Sequence, residues 1–185
     1  MKQGRLTYIK NILIPCLLFS VISGFFTGGL IFLFKIATSK VIAYSGVIYS
    51  FVREEPIRLP LLIIGSAILG GLSALLLHLA PNCRGGGIPT SVAILRGLID
   101  FKWTQSVFFI FTSALMTYLC GVPLGNEGPS VQMGTAIGRG TVQIFAKKHR
   151  AWDRYIMTGG ACAGFAAATG APLTGIFFAI EEAHR

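Results

Sequence analysis

Charged side chains are scarce in this sequence. Only 12% of the 185 residues are Asp, Glu, Lys or Arg, whereas 53% are hydrophobic. Soluble globular domains carry about a quarter charged residues. The composition therefore argues against a soluble domain and predicts a membrane protein.

Cysteine and histidine are also sparse, and neither occurs in pairs. Cys16, Cys83, Cys120 and Cys162 are scattered, and the three histidines are isolated. This spacing predicts neither a disulfide framework nor a metal site. Because no nucleophile–base set is visible either, we expect no cofactor and no enzymatic activity.

Four long runs without charged residues dominate the chain. They cover residues 11–34, 59–83, 103–126 and 155–180, apart from His78 in the second. A helix of 24 residues is roughly 36 Å long, and the hydrocarbon core of a bilayer is roughly 30 Å thick. The first run is too long for a signal-peptide core and lacks a cleavage motif, so we interpret it as a retained helix.

The sequence therefore predicts one domain, residues 1–185, that is an all-α polytopic membrane protein with broken, re-entrant-type helices. Residues 39–58 are more polar and are expected to connect the first two helices. The expected helices are 11–38, 59–80, a short one from Pro89, 104–120, one from Pro129 to the basic stretch at 147–150, 152–168 and 172–183.

The net charge of +9 comes from basic clusters between the apolar runs. Such clusters set membrane topology, so they predict a multi-pass protein of the cell membrane with a cytoplasmic N-terminus, and no nucleic-acid partner. Glycines four residues apart predict close helix packing in the bilayer. These pairs are Gly24 with Gly28, Gly134 with Gly138, and Gly160 with Gly164.

Three breaks that combine glycine and proline interrupt the apolar runs. They read GGGIPTS at 85–91, GNEGPSV at 125–131 and TGAP at 169–172, and they predict helix starts at Pro89, Pro129 and Pro172. A helix start presents free N–H groups and the positive end of the helix dipole, which suits an anion. Irregular backbone at bilayer depth persists only inside protein or beside a cavity. The breaks favour an anion site over loops at the membrane surface.

Glu127 lies inside the second break, within an otherwise apolar region. A carboxylate in such a position is costly and indicates function. When Glu127 is charged, its carboxylate competes with an anion for the free N–H groups of the helix start. When Glu127 is protonated, it leaves these groups free for the anion. Glu127 is thus predicted to be both gate and proton carrier, the alternative being a glutamate in a surface loop. By pattern alone, Glu181 and Glu182 form the polar end of a helix.

The segments GGGIP, GNEGP and TGAPLTGIFFAIEE together resemble the CLC family of voltage-gated chloride channels and chloride/proton antiporters. The resemblance runs from the first long helix to Arg185. It implies that Glu127 is the gating glutamate and that Glu182 passes protons to the cytoplasm. It also implies an anion-binding set made of Gly85, Gly86, Gly87, Ile88, Asn126, Glu127 and Gly128.

Three positions depart from the family pattern. Gly86 stands where a serine hydroxyl usually contacts the central anion, Asn126 replaces a basic residue, and Thr90 replaces an acid. Because channels of the family usually lack the second acid, Glu182 favours chloride/proton exchange. A voltage-gated-type channel and an exchanger of fluoride or another anion remain alternatives.

The pore of the family consists of two inverted halves, and the resemblance covers the first. We therefore expect a truncated chain whose second half is missing, with chloride, protons and the lipid bilayer as partners. A homodimer is expected of the full-length protein. The remaining alternative is a membrane fragment that does not conduct.

Overall fold

The computed structural model describes residues 13–122, 124–145 and 152–183, and this part of the chain is helical and contains no β-strand. Short 3₁₀ turns cover Pro56–Arg58 and Pro81–Cys83, and a π-helical turn covers Ala179–Ala183. The helices are α1 (Ile14–Glu54), α2 (Leu59–Leu79), α3 (Ile88–Leu95), α4 (Trp103–Leu119), α5 (Glu127–Phe145), α6 (Asp153–Thr169) and α7 (Pro172–Phe178).

Helix α1 is a single helix of 41 residues, so the prediction of a polar connection over 39–58 was wrong. No proline lies between Pro15 and Pro56, and nothing therefore interrupts the backbone hydrogen bonds. The helix stops when Glu55 becomes extended, with φ −132° and ψ 99°. A residue before a proline is driven into this conformation.

Helices α1 and α2 are long and apolar enough to cross a membrane. None of the residues of α2 is buried. A helix that is apolar all round and uncovered by protein is typical of a membrane span.

The core of the protein is an antiparallel pair, α5 and α6. A Cβ on Gly134 would overlap the carbonyl oxygen of Gly160, and a Cβ on Gly138 would lie 2.7 Å from the Met157 Cα. A Cβ on Gly164 would likewise overlap the carbonyl oxygen of Ser130 in α5. The prediction of close packing is confirmed for these two glycine pairs.

The first glycine pair behaves differently. A Cβ on Gly24 would make an ordinary contact of 3.8 Å with the Ala163 side chain, but Gly28 has no atom within 4 Å. The prediction of close packing at Gly28 was wrong, because Gly28 faces an open groove beside Phe32 and Lys35.

These contacts predict different effects on stability for two matched glycine-to-alanine substitutions. Gly134→Ala is expected to destabilise the fold by about 1–3 kcal/mol, since its methyl group must displace the α6 backbone. Gly28→Ala adds the same methyl group to an open surface and should be neutral or slightly stabilising. Thermal unfolding in detergent measures the stability of both variants. Equal stability would contradict the packing described above.

Candidate anion site at two helix starts

The first break folds into a tight turn that ends at the start of α3. Gly85 has φ +107°, which L side chains rarely adopt. Ser91 is fully buried, and both its N–H (2.9 Å) and its hydroxyl (2.8 Å) donate to the carbonyl of Gly87. These bonds fix the direction in which the backbone enters the helix.

The three prolines lie in the first turns of their helices, as predicted, but at different positions. Pro172 is the first residue of α7, whereas α3 begins at Ile88, one residue before Pro89. Helix α5 begins at Glu127, two residues before Pro129. An N–H in the first turn has no acceptor within its helix, so proline removes no bond there. The consequence is that Glu127 is itself the first helical residue.

The starts of α3 and α5 lie in backbone contact. A Cβ on Gly87 would overlap the Cα, carbonyl carbon and carbonyl oxygen of Gly128. The N–H groups and positive dipole ends of two helices therefore meet at one place. A cavity of about 320 Å³ adjoins both loops and is lined by Gly85, Gly86, Gly87, Gly125, Gly128 and residues of α2 and α4.

The carboxylate of Glu127 is half-buried and folds back over its own loop. Its Oε2 occupies the position that a Cβ on Gly125 would need. On the other side of the loop, the Asn126 carbonyl accepts the Ser130 N–H at 3.1 Å, and the Asn126 Oδ1 accepts the Tyr118 hydroxyl at 2.6 Å. The end of the loop next to α5 is thus held by the side chain of Tyr118 and by the first backbone hydrogen bond of the helix.

The third break does not join the other two. Pro172 is exposed, and no residue of 169–172 lines the cavity between the first two loops. Helix α7 turns back along α6, where the Phe178 and Phe165 rings lie 5.3 Å apart. Lys35 of α1 donates to the last carbonyls of α6 at 3.2 and 3.3 Å.

Two sets of predicted residues cannot be placed. The side chain of Glu182 lies outside the described residues, although its backbone belongs to the turn Ala179–Ala183, and its neighbour Glu181 is exposed. The basic stretches at 1–10 and 147–150 also lie outside the described part of the chain.

Sequence reasoning missed two contacts, one beside the site and one away from it. The first is the hydrogen bond from the Tyr118 hydroxyl to Asn126. The sequence feature that could have indicated it is a tyrosine near the end of an uncharged apolar run. Another is the ion pair of Arg139 with Asp100 at 2.5 Å, in which the guanidinium also lies 5.0 Å from the centre of the Phe101 ring. This pair lines a separate cavity of about 600 Å³ and does not line the cavity beside the loops.

The sequence model of voltage gated chloride channels matches residues 65–185, about two thirds of the chain. The chain belongs to the voltage gated chloride channel family. As a member of that family it is a polytopic, all-α integral membrane protein, as its sequence predicted.

Named relatives and a solved structure agree with this membership. The chain is 38% identical over 118 residues to the H(+)/Cl(-) exchange transporter ClcA of Vibrio cholerae, covering 63% of this chain and 25% of that protein. It is 37% identical over 124 residues to the H(+)/Cl(-) exchange transporter ClcA of Citrobacter koseri, and the match covers 66% of this chain and 26% of that protein. It also superposes on the crystal structure of a slow cyanobacterial Cl⁻/H⁺ antiporter with a TM-score of 0.78 and 30% identity, covering 91% of this chain and 40% of that one.

The chain thus spans about a quarter of the curated relatives that it matches.

Proposed function

We propose that this chain forms part of a chloride/proton exchanger and that the paired helix starts hold the anion. The observation that carries this proposal is the backbone contact between Gly87 and Gly128, which brings two helix starts together beside a carboxylate. The names of the ClcA relatives and of the antiporter support chloride and protons as the transported ions.

Glu127 is proposed as the gate. As the first residue of α5, it lies where the free N–H groups of that helix are found. An ionised carboxylate is favoured near a helix N-terminus and so competes with chloride for the same donors. Protonation removes that attraction and opens the site, so the arrival of a proton and the movement of an anion are linked.

Backbone donors dominate the proposed site because Gly86 contributes no hydroxyl. The hydroxyls of α4 that line the cavity do not replace it, since each donates to its own helix: Thr117 to the Ser113 carbonyl at 2.8 Å, and Ser113 to the Ile110 carbonyl at 3.3 Å. A site of this kind discriminates weakly among small monovalent anions. Exchange of fluoride or nitrate is the second candidate function.

The proposal extends to the remainder of the protein. Residues 1–185 correspond to the first half of the family's transmembrane domain, and a second half is proposed to complete the pore. The N-terminus is placed in the cytoplasm on the strength of the basic residues at 2, 5 and 10. A homodimer is proposed for the full-length product.

Exchange and channel activity are distinguished by proton movement. The full-length product of the locus is reconstituted in liposomes, and a chloride gradient is expected to drive protons against their own gradient. Glu182→Gln should leave chloride flux but stop proton movement, because a neutral amide cannot carry a proton to the inner face. Glu181→Gln is the matched control and should preserve coupling. Chloride flux without proton movement in the unmodified protein would instead establish a channel.

A further inference from the structure

An uncovered groove runs along the middle of α1, on the side where α1 faces the second half of α5. Its volume is about 770 Å³. Glycine, aromatic and aliphatic residues line it together with Thr141, whose hydroxyl donates to the Ile137 carbonyl at 2.9 Å. Phe25 and Leu33 of this lining are 79% and 59% exposed, so no described part of the chain covers them. The groove therefore suits an apolar occupant, and in a bilayer the apolar molecule beside a helix is a lipid acyl chain.

A second cavity continues the groove toward the end of α1. It has a volume of about 640 Å³, and its lining includes Phe32, Lys35, Ser39 and Lys40. Gly28 lines both cavities, and a Cβ added to it would meet no atom within 4 Å. The two cavities therefore form one groove, the α1 groove, with an apolar part and a cationic end.

The two lysines lack an acidic partner in the described part of the chain. Lys35 donates to the carbonyls of Ala167 and Ala168 at 3.3 and 3.2 Å, which uses two of the three N–H donors of its ammonium group. Lys40 forms no hydrogen bond or ion pair with any described residue, and both lysines are exposed. Cations beside an apolar surface are costly unless an anion accompanies them, and acidic lipid headgroups attract lysines at the membrane surface. The cationic end therefore suits the phosphate of an acidic lipid.

The lysines lie at the depth expected for lipid headgroups. Roughly 20 helical residues cross the hydrocarbon core of a bilayer, which is roughly 30 Å thick. Helix α1 has such an uncharged stretch from Ile14, and Lys35 is the first charged residue after it. The groove extends from Lys35 back to Gly24, which is toward the middle of that stretch. A lipid with its headgroup at the lysines would therefore direct its acyl chain into the groove.

We propose that the α1 groove binds one acidic phospholipid, whose phosphate is held by Lys35 and Lys40 and whose acyl chain fills the apolar part. A zwitterionic phospholipid would fill the same apolar part, but its own cationic group would offset the attraction of its phosphate to the lysines. The groove shares no lining residue with the cavity beside the two glycine-rich loops, so this inference does not depend on the proposed function.

The test is lipid binding by the full-length product in detergent, counted by native mass spectrometry. Phosphatidylglycerol and phosphatidylcholine with identical acyl chains are the two probes. The acidic lipid should bind at least about 10-fold more tightly, since each lysine near an anionic headgroup contributes about a factor of five. Equal binding of the two lipids would overturn the proposal.

Two lysine variants separate a bound lipid from a general attraction to charge. Lys40→Ala should weaken the binding of phosphatidylglycerol about 5-fold and leave that of phosphatidylcholine unchanged. Lys102→Ala removes another exposed lysine, which lines neither part of the groove, and should change the binding of neither lipid. The same loss in both variants would show that only net charge matters, and there would then be no lipid site.

Gly28→Leu tests whether headgroup and acyl chain occupy one groove. The new side chain enters the passage between the two parts of the groove and should weaken the binding of phosphatidylglycerol about 10-fold. Gly70→Leu, on α2, is the matched control, because a Cβ there also meets no atom within 4 Å and the residue lines neither part of the groove. Equal binding by the two variants would refute the joined groove. If Gly28→Leu does not fold, the comparison of the two lysine variants decides the question.

Two other occupants of the groove would give different results. Excess inorganic phosphate should not displace the bound lipid, because phosphate has no acyl chain. Displacement would mean that the lysines bind phosphate without any help from the groove, which contradicts the proposal. If another part of the full-length protein fills the groove, Lys40→Ala and the unmodified protein would bind phosphatidylglycerol equally, and this result would also overturn the proposal.

Discussion

Replacement of Glu127 by alanine is expected to reduce proton movement to the background level while chloride flux continues. In the proposed mechanism this carboxylate is both the proton carrier and the competitor of the anion for the N–H groups at the start of α5. Without it, protons have no carrier at the site, whereas the anion retains its donors. The measurement is simultaneous recording of chloride efflux and external pH from liposomes that contain the full-length product.

A matched variant tests whether the effect belongs to this carboxylate. Glu54→Ala removes an exposed carboxylate at the end of α1 and should behave like the unmodified protein. Preserved coupling in Glu127→Ala would refute the proposed gate.

Gly87→Ala is expected to disrupt the site as a whole. Its methyl group would overlap three backbone atoms of Gly128, and backbone cannot move aside as a flexible side chain can. Either the starts of α3 and α5 separate or the α3 turn unfolds, and in both cases the donors no longer converge. We expect loss of chloride flux and a loss of stability of about 1–3 kcal/mol, the usual result of forcing a group into a packed region.

The neighbouring glycine provides the control. A Cβ on Gly86 would lie 3.7 Å from the Pro89 ring, an ordinary contact, so Gly86→Ala should fold and transport. The two variants add the same methyl group to adjacent positions. Flux and thermal unfolding in detergent should therefore separate them, and equal behaviour would show that the two helix starts are not in contact.

The sequence predicted most helices because their signals are local. Runs without charge and the breaks at glycine and proline placed α2 and α4 to within one residue of their ends. Helix α1 was predicted too short, because a few polar residues after Ser39 were interpreted as a loop. Polar side chains can remain on a long helix when no proline interrupts its backbone, and here none occurs before Pro56.

The candidate site was only partly predictable. Glu127 and the two glycine-rich loops stand out in the sequence, because a carboxylate and irregular backbone are costly in an apolar segment. The third break has the same pattern, yet Pro172 is exposed and does not line the cavity. Which of three similar breaks converge depends on how α5, α6 and α7 pack.

By itself, the sequence determined that this protein is helical, apolar and broken at glycine–proline turns, since these features follow from the chemistry of neighbouring residues. Only the tertiary structure decided that Gly87 meets Gly128 and that Tyr118 reaches Asn126. The physical reason is that glycine, having no side chain, permits close approach but does not select a partner. The partner is selected by the antiparallel packing of α5 on α6 and by the placement of α3 and α4 beside them.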